Sequence, residues 1–110
     1  MDTMHHDMQA CIDACLDCYR TCFSTAAQHC LEAGGKHTEP AHFRLMLACA
    51  EMCRASAAIM LTGSPAHKHS CAACAEICAA CAADCERVGD MERCVAACHA
   101  CAEECRKMAA

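Results

Sequence analysis

Apolar and polar positions along the chain recur at alternating steps of three and four. The clearest stretch is SCAACAEICAACAADCERVG at 70–89, where Cys71, Cys74, Cys78, Cys81 and Cys85 follow those steps with charged residues set between them. Residues three and four apart stand one above another on an α-helix, their Cβ atoms about 5–6 Å apart. The pattern predicts a helix with a column of thiols on one face. The same period runs through the rest of the chain. The first segment carries Met4, Met8, Cys11, Cys15, Cys18 and Cys22, with Cys30 a little over two turns on, and the second carries Met46, Cys49, Cys53 and Met60. The third places His67 four residues ahead of Cys71, and the last carries Met91, Cys94, Cys98, Cys101, Cys105 and Met108.

Punctuation at Gly34-Gly35, Gly63-Ser64-Pro65 and Gly89-Asp90 cuts the chain into four segments. Glycines supply the stops, and Thr38, Ser64 and Asp90 are the candidate N-caps. Helices are predicted near 3–33, 39–62, 65–88 and 90–108 within a single domain spanning 1–110. Short connections between consecutive helices favour antiparallel neighbours. The expected fold is therefore all-α, an antiparallel up-down-up-down four-helix bundle with a Cys-lined core. The first two helices also bear a second apolar stripe, Ile12, Leu16, Tyr19 and Phe23 on one and Leu45, Met52 and Ile59 on the other. That stripe is either a widened core face or the contact surface of a homo-oligomer.

Composition sharpens the picture. The 110 residues include 16 Cys and 8 Met but only 3% aromatics and no Trp, so sulfur and Ala must fill the core. A net charge of −5 without a Lys/Arg cluster argues against nucleic acid as a partner. No stretch reads as a membrane span, and the start, MDTMHHDMQAC, lacks the basic and apolar regions of a signal peptide. A cytoplasmic protein is the expectation, in a compartment where Cys-rich patterns bind metal more often than they form disulfides.

Several readings of the thiols compete. Free Cys is a common small core hydrophobe, yet Ala, Val and Leu would fill a bundle without the oxidation hazard of sixteen thiols. Disulfides would have to run between helices, because same-face Cβ vectors on one helix are nearly parallel. Zinc uses closed four-ligand sites, usually with CxxC on a turn, whereas here CxxC lies inside helix. Cu(I) is soft, is bound by thiolate and thioether, and is suited by an unbroken sulfur ladder with shared thiolates. One Cu(I) per thiolate leaves a dry core neutral, which sets a capacity on the order of 16 ions per chain. A zinc or cadmium thiolate buffer and a disulfide-stabilised interaction protein remain the alternatives.

Antiparallel packing gathers Met4, Met8, Met60, His67 and Met108 at one end. Neutral thioether and imidazole ligands bind Cu(I) more loosely than thiolates and suit a mouth that admits ions. The other end gathers Cys30, Met46, Cys85 and Met91 with His29 or His42 nearby. The remaining histidines, His37, His69 and His99 among them, are expected to face solvent, with His5 and His6 set apart by their place beside Met4 and Met8. No paired acid/base constellation and no phosphate loop point to catalysis.

The spacings CIDACLDCYRTC, CAEMC, CAACAEICAACAADC and CVAACHACAEEC, one on each helix, resemble those of the cytosolic copper storage proteins of bacteria. The resemblance implies a bundle whose core stores many Cu(I) ions, His/Met sites at one open end, and assembly into a tetramer. It also implies ligation by Cys11, Cys15, Cys18, Cys22, Cys30, Cys49, Cys53, Cys71, Cys74, Cys78, Cys81, Cys85, Cys94, Cys98, Cys101 and Cys105. The second helix departs from the pattern, with Met46, Ser56 and Met60 where further thiols would stand.

Overall fold

The computed structural model describes residues 2–110, with side chains from position 7 onward. Four long helices run up and down in chain order. The first, α1 (Asp2–Ser24), continues without a break through a π-helical segment (Thr25–Cys30) into a last α-turn (Leu31–Ala33). A 3₁₀ turn (Gly35–Thr38) leads to α2 (Pro40–Leu61), followed by α3 (His67–Val88) and α4 (Glu92–Ala109). The backbone packs α1 on α2, α2 on α3, α3 on α4 and α4 on α1, which closes the ring of the expected bundle. Its extents are 48 × 19 × 18 Å.

The approach of α3 to α4 is the most extensive. Ala75, Ala82, Ala97 and Ala102 are buried on these two helices, and a methyl side chain lets two backbones come close. Pro40 opens α2 at the first helical position, where its missing N–H costs nothing. Gly34 and Gly89 end their helices at φ 68° and 83°, a region that penalises any residue with a Cβ. The backbone N–H of Gly89 donates to the Cys85 carbonyl at 3.0 Å and closes the last turn of α3.

The three predicted N-caps do other work. Glu39 precedes Pro40 as the flanking residue, while the Thr38 hydroxyl donates to the Gly35 carbonyl at 3.2 Å and tightens the 3₁₀ turn. The Ser64 hydroxyl accepts from the Ala66 N–H at 3.1 Å in the turn ahead of α3. Asp90 adopts φ 56°, so Met91 becomes the residue flanking α4. The Thr38 and Ser64 side chains thus serve the connecting turns and not the helices, while the Asp90 carboxylate lies 3.4 Å from His29 Nε2.

The π-helical segment explains the long step from Cys22 to Cys30. At about 100° per residue, eight residues would leave Cys30 about 80° off the inward stripe. The wider i→i+5 turn absorbs one extra residue, and both Ala26 and Cys30 return to the core at 0% exposure. The second apolar stripe is divided between core and surface. Ile12 is buried, Leu16, Tyr19, Leu45, Met52 and Ile59 are half-buried, and Phe23 is exposed at 47%; Leu31, outside that stripe, is exposed at 58%.

Candidate metal centre

All sixteen cysteines are free thiols, and all are buried. They occupy the inward stripe of every helix, so the period read along the chain becomes a column along the bundle axis. From the α1-start end the sulfurs run from Cys11 to Cys105 (3.7 Å), Cys105 to Cys15 (3.6 Å), Cys15 to Cys101 (3.6 Å) and Cys101 to Cys53 (3.8 Å). Beyond these come Cys53 to Cys78 (3.4 Å), Cys78 to Cys49 (3.8 Å), Cys49 to Cys98 (4.0 Å) and Cys98 to Cys22 (3.6 Å). Cys81 and Cys85, 4.0 Å apart, lie farther along α3. Two sulfurs on one ion at about 2.3 Å can be no more than about 4.6 Å apart, so each of these neighbours can share an ion.

Among the described residues, sets of four thiols with all their sulfurs mutually within 4.8 Å include these four: Cys15/Cys74/Cys101/Cys105, Cys53/Cys74/Cys78/Cys101, Cys18/Cys49/Cys53/Cys78 and Cys18/Cys22/Cys49/Cys98. Ten cysteines build all four, because each set borrows members from the next. No more than two of the four can be filled by ions that refuse to share a thiolate. Cys11, Cys71 and Cys105 add a three-thiol set. Ser56, where a further thiol would stand on α2, places its hydroxyl 3.7 Å from Cys71 Sγ.

Neighbouring thiols hydrogen-bond to one another, and in most of these pairs either sulfur can be the donor. The neighbouring Cys22 and then Cys85 thiols hold the Cys94 thiol below its ordinary range. Cys22 is pushed up, first by its bond to Cys18, and Cys85 is pushed up, first by its bond to Cys81. Cys30 is raised chiefly by burial and then by the charge of Cys94. A soft cation displaces these protons and satisfies donors and acceptors together.

The two ends differ. At the α1-start end Met60 is buried at 2% exposure, while Met8 and Met108 are half-buried against the core. Half-buried His67 donates from Nδ1 to the Ser64 carbonyl 3.0 Å away, which makes Nδ1 the protonated nitrogen and leaves Nε2 free to bind a metal. Met4, His5 and His6 lie outside the described side chains. At the opposite end Cys30 Sγ stands 3.7 Å from Met46 Sδ, 3.9 Å from Met91 Sδ and 4.0 Å from His37 Nδ1. His37, expected to face solvent, is half-buried and stacks edge-on to His29 with ring centroids 5.0 Å apart. Its place depends on the 3₁₀ turn, which no periodic signal announces.

His42 is the other residue that periodicity undervalues. It stands four and seven residues ahead of Met46 and Cys49 on the inward stripe and is buried at 1% exposure. Its Nδ1 lies 2.7 Å from Asp84 Oδ2, and Arg87 Nε donates to the other oxygen of that carboxylate at 2.9 Å. Burial opposes the charge on Asp84, but the bonds from His42 and Arg87 hold its carboxyl below the usual range. The spacing 42, 46, 49, 53 was the available signal.

Comparison with known proteins agrees with this geometry. The family described as Csp, copper storage protein, matches residues 4–110. A crystal structure of a Nitrosospira multiformis protein superposes with a TM-score of 0.94 at 57% identity, covering 96% of each chain. The Cu(I)-bound copper storage protein BsCsp3 is 40% identical with a TM-score of 0.86, over 94% of this chain and 99% of that one. The apo form of copper storage protein 3 from Bacillus subtilis is 39% identical with a TM-score of 0.81, over 93% and 98%. No curated protein sequence matches the chain.

Proposed function

The chain belongs to the copper storage protein family, and from that premise we propose that it stores many Cu(I) ions on the thiolates of its core, with no catalytic turnover. The overlap of the four-thiol sets carries this reading. Zn(II) in a Cys₄ site takes four thiolates for itself and leaves two negative charges in a dry interior, a costly arrangement to repeat. Cu(I) accepts two or three sulfurs and shares them, so an unbroken column fills while remaining near neutrality. All sixteen cysteines serve as ligands in this proposal.

Anaerobic competition titrations of the reduced chain with Cu(I) and with Zn(II) test it. Uptake of Cu(I) approaching about one ion per thiolate, beside no more than about two tightly held Zn(II), is expected. Four tetrahedral Zn(II) per chain and sparse Cu(I) would sink the storage reading in favour of a zinc buffer.

Met8, Met60, His67 and Met108, with Met4, form the mouth in this reading. The half-buried Met8 and Met108 thioethers at that end hand ions inward to Cys11, Cys71 and Cys105, and they give up no proton in doing so. Replacing Met8, His67 and Met108 together should slow anaerobic loading and leave final capacity unchanged; an unaltered rate removes the mouth from this end. Sixteen free thiols also call for a reducing compartment, so the reading includes a cytosolic location, checked by fractionation. The exposed Phe23 and Leu31 on the α1 flank supply the contact of a homo-oligomer, the tetramer of the family resemblance. Light scattering that returns a monomer mass would remove that contact.

A further inference from the structure

His42 carries a buried ring nitrogen that no group among the described residues engages. Its imidazole is almost fully enclosed, and Nδ1 is committed to the Asp84 carboxylate at 2.7 Å. Nε2 is buried and has no hydrogen-bond partner among the described residues. In a neutral imidazole, a carboxylate that accepts from Nδ1–H leaves Nε2 as the nitrogen with the lone pair, the arrangement found where a carboxylate holds the ring nitrogen of a metal-binding histidine that faces away from the metal. Buried polar atoms are nearly always satisfied, and one left over calls for a partner.

Register places this nitrogen at the end of the sulfur column. Cys49 opposite Cys78 and Ser56 opposite Cys71, at 3.8 and 3.7 Å, fix the antiparallel register of α2 on α3 and bring His42 level with Cys85. Cys49 with Cys98 and Cys53 with Cys101, at 4.0 and 3.8 Å, fix α2 against α4 and bring His42 level with Met91. Met91 Sδ is in turn 3.9 Å from Cys30 Sγ. One layer of the bundle thus holds an imidazole, a thioether and two thiols.

We propose that His42 is a Cu(I) ligand through Nε2, closing the column in a mixed nitrogen–sulfur site with the thiolates of its layer, Cys30 and Cys85, and that Asp84 is its positioning residue. The inference rests on the storage reading and adds a ligand to it. A Cu(I) ion here displaces one thiol proton to solvent, pairs its charge with that thiolate and gains the neutral nitrogen, while the Cys85 thiolate, 4.0 Å from Cys81, is shared with and neutralised by the next ion of the column, so the terminal ion adds no net charge to the core.

Long-range ¹H–¹⁵N correlation spectra of the full chain, reduced and then loaded anaerobically with Cu(I), test the assignment without any substitution. His42 Nε2 should leave the position of an unprotonated imidazole nitrogen on loading while Nδ1 keeps its proton. In variants, His42→Gln should lose one Cu(I) per chain. Asp84→Asn retains an acceptor for Nδ1–H but not the charge, and should hold the same number of ions with the terminal one about tenfold weaker against a Cu(I) chelator. A thiol column that fills while His42 Nε2 stays unmoved overturns the proposal and leaves storage standing. A reduced chain that takes up no Cu(I) overturns the storage reading and this inference with it.

Discussion

Cys101 meets four other sulfurs, those of Cys15, Cys53, Cys74 and Cys105, at 3.6 to 3.9 Å. Cys94, as deeply buried, approaches the Thr21 carbonyl at 3.8 Å near the other end. The two thiols therefore differ in how much of the column depends on them. Cys101→Ala should remove at least two Cu(I) from a loaded chain, because it breaks two four-thiol sets at once, whereas Cys94→Ala should remove one. Metal analysis after anaerobic loading reads the difference, and equal losses would show that ions do not share Cys101. Each variant leaves a cavity of about one sulfur, so the metal-free fold should weaken by only about 1 kcal/mol. At this scale the thiols were legible because a ligand that repeats at three and four announces its own face. His42 was named only as a neighbour of the far end. A single imidazole on an apolar stripe gives no sign of the carboxylate waiting on another helix.

The helices show where periodicity succeeds and where it stops. Four segments and their inward faces follow from the spacing of sulfur, and the close pairing of α3 with α4 follows from their Ala coats. The π-helical segment was visible only as an awkward step: Cys15 to Cys22 is a heptad, while Cys22 to Cys30 is a heptad plus one. A local widening of the turn hides the extra residue. Deleting exposed Gln28 should therefore return Thr25–Cys30 to ordinary α-helix with the Cys30 thiol still beside Met46. Copper capacity should be unchanged, and the metal-free melting temperature by circular dichroism equal or higher. Deleting Asp17, in the regular part of α1, should instead rotate the thiols on one side of the cut out of line and lower capacity by several ions. If both deletions cost the same, the extra-residue account of the π-helical turn is wrong. The caps were less legible, since Thr38, Ser64 and Asp90 have the same chemistry in a turn as at a helix start.

Across the whole molecule the interior is already apolar before any ion arrives, because a protonated thiol packs as a small hydrophobe. The reduced, metal-free chain should accordingly show the far-ultraviolet circular dichroism of a helical protein, in contrast to a zinc finger that folds only around its metal. Cu(I) should then raise the melting temperature by binding the folded chain in preference to the unfolded one. A coil spectrum without metal would mean that the ions, and not the side-chain packing, assemble the bundle. The sequence foretold this architecture well, since short connections and four matched faces leave few alternatives.

The bundle is more than twice as long as it is wide, and its thiols form a narrow file walled by helix on every side. Such a store behaves as a stack: an ion in the middle leaves only after those between it and an open end have moved. The latest copper to arrive is the earliest to depart, and lengthening the helices would enlarge the hoard without hastening its retrieval.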